Sequence, residues 1–165
     1  MQSRGSERTL GSALGLLGAK RGKPSDYSWA LALLVPLLLT SWLAIALIPV
    51  EVLDDHGVTI ARLTSLGVGV GVVLRALGEE ILFRGLLGGV FMRRLGFLWG
   101  NLLQSAVFII PHLVLLLIDS RTWPVILVQF AAGWLLGWLR YKTGSFVPGA
   151  AIHIVTNVAA GLITL

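Results

Sequence analysis

The chain has 165 residues, one domain's worth, of which 56% are hydrophobic and 13% charged, against roughly 45–50% and about 25% in soluble domains. That balance, with a mean hydropathy of +0.86, excludes intrinsic disorder, argues against a water-soluble enzyme and points to a lipid-facing surface. The net charge is +5 and cysteine is absent, so a disulfide framework, a thiol nucleophile and a Cys-ligated zinc are excluded.

Residues 1–26 are polar and basic, with Arg4, Arg8, Lys20, Arg21 and Lys23. They read as a mostly flexible cytoplasmic segment whose weakly apolar Leu10–Leu17 run is expected at the membrane surface. Residues 27–165 read as the transmembrane domain. Its first run, Trp29 to Val50, exceeds the ~7–15-residue core of a signal peptide. No small-residue cleavage site follows it, so it is expected to be a retained span. Val58–Met92 is longer, ~52 Å as a straight helix, and contains Arg62, Arg75, Glu79, Glu80 and Arg84. Phe97–Ile118, Trp123–Leu139 and Ser145–Leu165 each approach the ~20 residues that cross the hydrocarbon.

Basic residues gather at the ends of these runs, which fits membrane orientation and not a nucleic-acid surface. The N-terminal segment, Arg93–Arg94 and Arg140–Lys142 alternate with the acidic loop of Glu51, Asp54 and Asp55 and with the Asp119–Thr122 loop. That alternation requires Val58–Met92 to cross once. The expected fold is an all-α polytopic transmembrane helix bundle of about five spans with its N-terminus cytoplasmic. Gly67–Gly71, Gly85–Gly89 and Gly133–Gly137 are small-xxx-small pairs expected to let helices approach closely.

Ionisable groups inside spans are costly and face a bundle interior or a water-filled cavity. Glu79, Glu80, Arg84, His112 and His153 are of this kind, with Asn157 as a buried amide. Glu80 and Arg84, four apart, share a helix face and can pair, whereas Glu79 points about 100° away. His153 and Asn157 also share a face. Counted along the helices from the cytoplasmic side, Glu79 lies ~20 Å deep, His112 ~22 Å, Asn157 ~18 Å and His153 ~12 Å. A carboxylate and a histidine can activate water, and a second histidine with an amide can donate to an oxyanion. Alternatively, Glu79, His112 and His153 are candidate ligands for Zn2+ or another divalent metal with a fourth position for water. The shallower His153 favours metal-free water activation. His56 reads as solvated, and Arg62 and Arg75 as snorkelling or locally paired.

Three blocks resemble a known family. Glu79-Glu80-Ile81-Leu82-Phe83-Arg84 is similar to the EExxxR block of the CPBP intramembrane proteases, the CAAX prenyl protease type II and bacteriocin-processing (Abi) proteins. Phe108 through His112 resembles their FxxxH block, and His153 through Asn157 their HxxxN block. The resemblance runs from about residue 66 to residue 160. It implies that Glu79 activates water with His112 as its partner, that His153 and Asn157 stabilise the oxyanion, and that Glu80 and Arg84 shape the site or contact substrate. Pro111, an unusual neighbour for His112, is expected to kink the span or aim the imidazole.

The expected activity is endopeptidase cleavage of membrane-associated peptides or proteins in a prokaryotic cell membrane, with membrane lipid and substrate as partners and no nucleic acid. The competing readings are a non-catalytic protein of the same fold, serving bacteriocin immunity or as a scaffold, and a proton-coupled transporter subunit. An HxxxN pair is needed by an oxyanion site and not by a proton relay.

Overall fold

The computed structural model describes residues 9–53 and 63–163, and among them all regular structure is helical. In chain order the α-helices are α1 (Leu10–Leu17), α2 (Pro24–Leu47), α3 (Val50–Leu53), α4 (Leu66–Glu79), α5 (Gly89–Ile109), α6 (Val114–Ile118), α7 (Trp123–Thr143) and α8 (Val147–Ile163). A π-helical segment, Glu80–Gly88, joins α4 to α5, and short 3-10 turns flank α6. Pro24–Leu47, Leu66–Ile118 and Ser120–Thr143 are long and apolar enough to cross a membrane, and Val147–Leu162 is a shorter apolar helix. The expected all-α membrane bundle is therefore the observed fold. Asp54 and Asp55 of the acidic loop, His56, expected to be solvated, and Arg62, expected to snorkel or pair locally, lie outside the described residues.

The longest apolar stretch is not one rod. Gly96 has φ 75° and ψ 172°, a conformation open essentially to glycine alone, and the chain doubles back there. Gly100 then abuts the Met92 backbone, Gly88 faces Gln104, and Phe83 packs edge-on to Phe108 at 5.0 Å. The described chain thus makes five long helical passes, 24–47, 66–95, 97–118, 120–143 and 147–163. Helix α2 buries Ala30, Leu37 and Ala44, one residue every second turn, while Leu31, Val35, Leu39 and Leu43 stay exposed. A helix with one inward stripe and apolar residues elsewhere suits a bundle surrounded by lipid.

Residues 10–23, expected to be largely flexible, dock across one end of the bundle. Helix α1 ends at Gly18, and its last carbonyls are met by two cations from other helices. Arg140 donates to the carbonyls of Leu16 and Leu17 at 3.4 and 3.3 Å, and Arg93 reaches Leu16 at 3.5 Å. Cations are favoured at the negative end of a helix dipole. Ser145 Oγ donates to the Lys20 carbonyl, and the Phe146 amide donates to Gly18 at 3.1 Å. Sequence periodicity carries no sign of these long-range contacts.

The glycine pairs divide. Gly133 and Gly137 lie against Ser105, Phe108 and Asn101 of α5, and Gly85 packs on the Leu17 carbonyl and on Phe146. Gly67–Gly71 is the exception. A Cβ at Gly71 would meet nothing within 4 Å, so this pair makes no helix crossing among the described residues.

Candidate active site

The interior acids sit where the helix changes pitch. Glu79 closes α4 and Glu80 opens the π-helical segment. Such wide turns are rare and occur disproportionately at functional sites. Nothing in hydrophobic periodicity forecasts one here.

Glu80 and Arg84 are fully buried. Arg84 NH1 lies 3.1 Å from Glu80 Oε1, and the guanidinium carbon stands 4.0 Å from the centre of the Phe108 ring. The expected pairing is present. Glu80 Oε1 also accepts from His153 Nδ1 at 2.9 Å. This bond places the proton on Nδ1 and leaves Nε2 to face Glu79 Oε2 at 3.7 Å. Phe108 is the hub of the cluster: its ring packs against Arg84, Phe83, His112 and His153, and its carbonyl accepts from His112 Nδ1 at 3.1 Å. Pro111 falls in the 3-10 turn Ile110–Leu113, which carries His112. With its Nδ1 committed to backbone, His112 has Nε2 available for chemistry.

Glu79 has different surroundings. Its side chain is 18% exposed and pairs with Arg75 Nε at 3.4 Å, so Arg75 is locally paired as expected. Glu79 lines a cavity of about 390 Å³ with Arg75, His112, Gln129 and Asn157. Apolar residues of α2, α6, α7 and α8, including Ala44, Leu115, Val128 and Ala160, complete its wall. A concave apolar site with a few convergent polar groups is the usual form of a small-ligand or peptide-side-chain pocket. Glu79, His112 and Asn157 are brought together on this wall. His153 stands behind it and reaches the group through Glu79 and Glu80.

The depth estimate for His153 is corrected by these contacts. Counting along helices set His153 ~8–10 Å shallower than Glu79, but the two side chains are 3.7 Å apart. The error lies in assuming that all cytoplasmic ends share one plane. Phe146 at the foot of α8 packs on Gly85, so α8 begins well inside the hairpin tip at Gly96, by ~15 Å at 1.5 Å per residue. Helix α1 and residues 18–23 fill the level below.

Of the candidate metal ligands, Glu79 and His153 approach each other at 3.7 Å, and His112 lines the same cavity as Glu79. Among the described residues no three His, Asp or Glu side chains are grouped to hold one ion. His153 Nδ1 is bonded to Glu80 and His112 Nδ1 to a backbone carbonyl, which leaves the Nε2 of each ring as the nitrogen that could ligate an ion.

A second buried polar group was missed by the sequence reading. Asn101, Gln104 and Ser105 of α5 are fully buried. Asn101 Nδ2 donates to the Trp134 carbonyl at 3.1 Å, Gln104 Nε2 to Gly133 at 3.3 Å, and Ser105 Oγ to Asn101 at 2.8 Å. The signal was present as three polar residues at i, i+3 and i+4 of an apolar span, one face of a helix.

An apolar helical bundle thus carries an acid, a histidine and an amide on the wall of one cavity. The sequence model of the type II CAAX prenyl endopeptidase Rce1-like family matches residues 61–159, and the chain belongs to that family. It is thereby a member of a family of membrane proteases, and its apolar helices make it an integral membrane protein. No curated protein and no solved structure matches the chain.

Proposed function

We propose that the protein is an intramembrane endopeptidase that hydrolyses peptide bonds of membrane-associated peptides or proteins with a water activated by Glu79. The observation that carries this reading is the shared wall of Glu79, His112 and Asn157 on one cavity inside the apolar bundle. In it, Glu79 removes a proton from water, and the oxygen attacks the substrate carbonyl carbon. Glu79 then returns the proton to the departing amine. His112, with its ring fixed through Nδ1, accepts a hydrogen bond from the same water. Asn157 Nδ2 donates to the developing oxyanion. His153, held by Glu80, positions Glu79 from behind. The Arg84–Glu80 pair fixes Glu80 in turn, so both act through His153. No step in this reading is routed through a metal. The N-terminus and the Arg93–Arg94 turn are assigned to the cytoplasmic side by the distribution of basic residues.

The test is a cleavage assay with purified protein in liposomes, using a library of apolar-tailed peptides read by mass spectrometry. The expected result is discrete products from the wild type and none from Glu79→Gln. Unchanged cleavage by Glu79→Gln would remove Glu79 from the role of base. A folded protein that cleaves nothing while acidifying liposomes would favour the transporter reading.

A further inference from the structure

A second, smaller pocket of about 150 Å³ lies away from the candidate active site, between the hairpin and α7. Gly89, Met92, Arg93, Arg140 and Tyr141 line it. Its two guanidinium groups converge from different helices on the end of α1. Neither has a carboxylate partner among the described residues. Their acceptors are neutral carbonyls at 3.3–3.5 Å, long for N–H···O bonds. Arg140 Nε is enclosed beside Gly18 without an acceptor. Two like charges held together with no carboxylate between them among the described residues are the arrangement that an anion completes.

We propose that this pocket binds a phosphate group, supplied by the headgroup of an anionic phospholipid. Guanidinium forks match phosphate oxygens in a bidentate way that neutral carbonyls cannot. The other walls are apolar: Met92, and Tyr141 braced by Phe97 at 4.7 Å between ring centres. They suit the glycerol and upper acyl carbons that follow a lipid phosphate. The level is that of headgroups. Lys142 Nζ stands 4.2 Å over the Trp29 ring at the same end of α7, an amphipathic pairing typical of the membrane interface. Basic pockets between membrane helices are known to take such headgroups. Because Arg93 and Arg140 also hold the end of α1, and α1 packs under Gly85 of the π-helical segment, an occupied pocket tightens the layer beneath the candidate active site.

The experiment is thermal unfolding and native mass spectrometry of the full chain in neutral detergent. It is titrated separately with phosphatidylglycerol, with phosphatidylcholine and with inorganic phosphate. Phosphatidylglycerol is expected to remain bound and raise Tm, with phosphatidylcholine at least about tenfold weaker. Arg93→Gln is expected to weaken phosphatidylglycerol about tenfold, and Arg94→Gln, a neighbour outside the pocket, to leave it unchanged. Adding Arg140→Gln to Arg93→Gln abolishes the retained lipid; should that double variant not fold, Arg93→Gln against Arg94→Gln still decides. Equal retention of both lipids, or equal weakening by Arg94→Gln and Arg93→Gln, overturns the site in favour of diffuse surface charge. Stabilisation by inorganic phosphate at concentrations that displace phosphatidylglycerol overturns the lipid source and assigns the pocket to a soluble phosphate.

Discussion

Glu79 and Glu80 are adjacent in the chain and sit in opposite environments. Glu79 opens onto the 390 Å³ cavity with His112 and Asn157. Glu80 is enclosed with Arg84, His153 and Phe108 and has no exposed surface. The enclosed side continues along α5 as Asn101, Gln104 and Ser105, bonded to the backbone of α7. One polar region can meet a substrate and a water; the other can only hold helices and rings in place. Polarity inside the bundle is therefore not evidence of chemistry by itself, and access separates the two uses.

The comparison breaks first at the enclosed ion pair. Arg84→Ala leaves Glu80 buried with only His153 beside it and is expected to cost about 3–5 kcal/mol, read by denaturant unfolding in detergent. The double change Glu80→Gln with Arg84→Met removes both charges and should unfold later than Arg84→Ala. Equal stability of the two would mean that Glu80 and Arg84 do not act as a unit.

On the open side the effects fall on rate and not on stability. Glu79→Gln is isosteric, and it is expected to lower cleavage by at least ~10²-fold with Tm nearly unchanged. Asn157→Ala is expected to lose of order 10²-fold in kcat, as for removal of one oxyanion donor, with unfolding like wild type. A large fall in Tm for Asn157→Ala with normal turnover per folded molecule would move Asn157 into the structural region.

Gly137→Ala tests the far end of the enclosed row. A Cβ there runs into Asn101 Oδ1 and lies 3.4 Å from Gln104 Oε1, so either Asn101 rotates off its bond to the Trp134 carbonyl or α5 and α7 separate. The expected cost is about 1–3 kcal/mol, whereas Gly71→Ala, facing open space, should be neutral or slightly stabilising. Similar losses at both positions would contradict the packing described.

The smallest effect belongs to Asp119, in the turn between the third and fourth passes. Its hydrogen bonds from the Arg121 side chain and amide hold its carboxyl below the ordinary value of 3.8. A depressed folded-state pKa contributes stability above the unfolded pKa and loses it as pH falls through the folded one. The small Tm advantage of wild type over Asp119→Asn should therefore be steady at neutral pH and vanish in acid. An advantage that grows in acid would reverse the assignment.

The local features of this protein were legible because they depend on spacing. Apolar runs bounded by charge gave the helical passes, and i, i+4 spacing paired Glu80 with Arg84. Arg93 and Arg94 marked the end of the second pass, and Gly96, which no sequence signal singled out, makes the reversal there. The family blocks selected Glu79, His112 and Asn157, which share a cavity wall, and His153, which touches both acids.

What remained hidden depends on how helices sit along one another. Hydrophobic pattern determines that a segment is buried in lipid, but lipid tails are as apolar as leucine and set no offset between neighbouring helices. The start of α8 at the level of Gly85 is decided by close packing and by the docked N-terminal segment, and it brings His153 to Glu79. The π-helical segment is equally a tertiary outcome, since its residues would serve an ordinary helix as well. Composition and periodicity alone determined that this chain is a bundle with ionisable groups inside it. Only the packed structure decided which of those groups face a cavity, because access depends on neighbours distant in sequence.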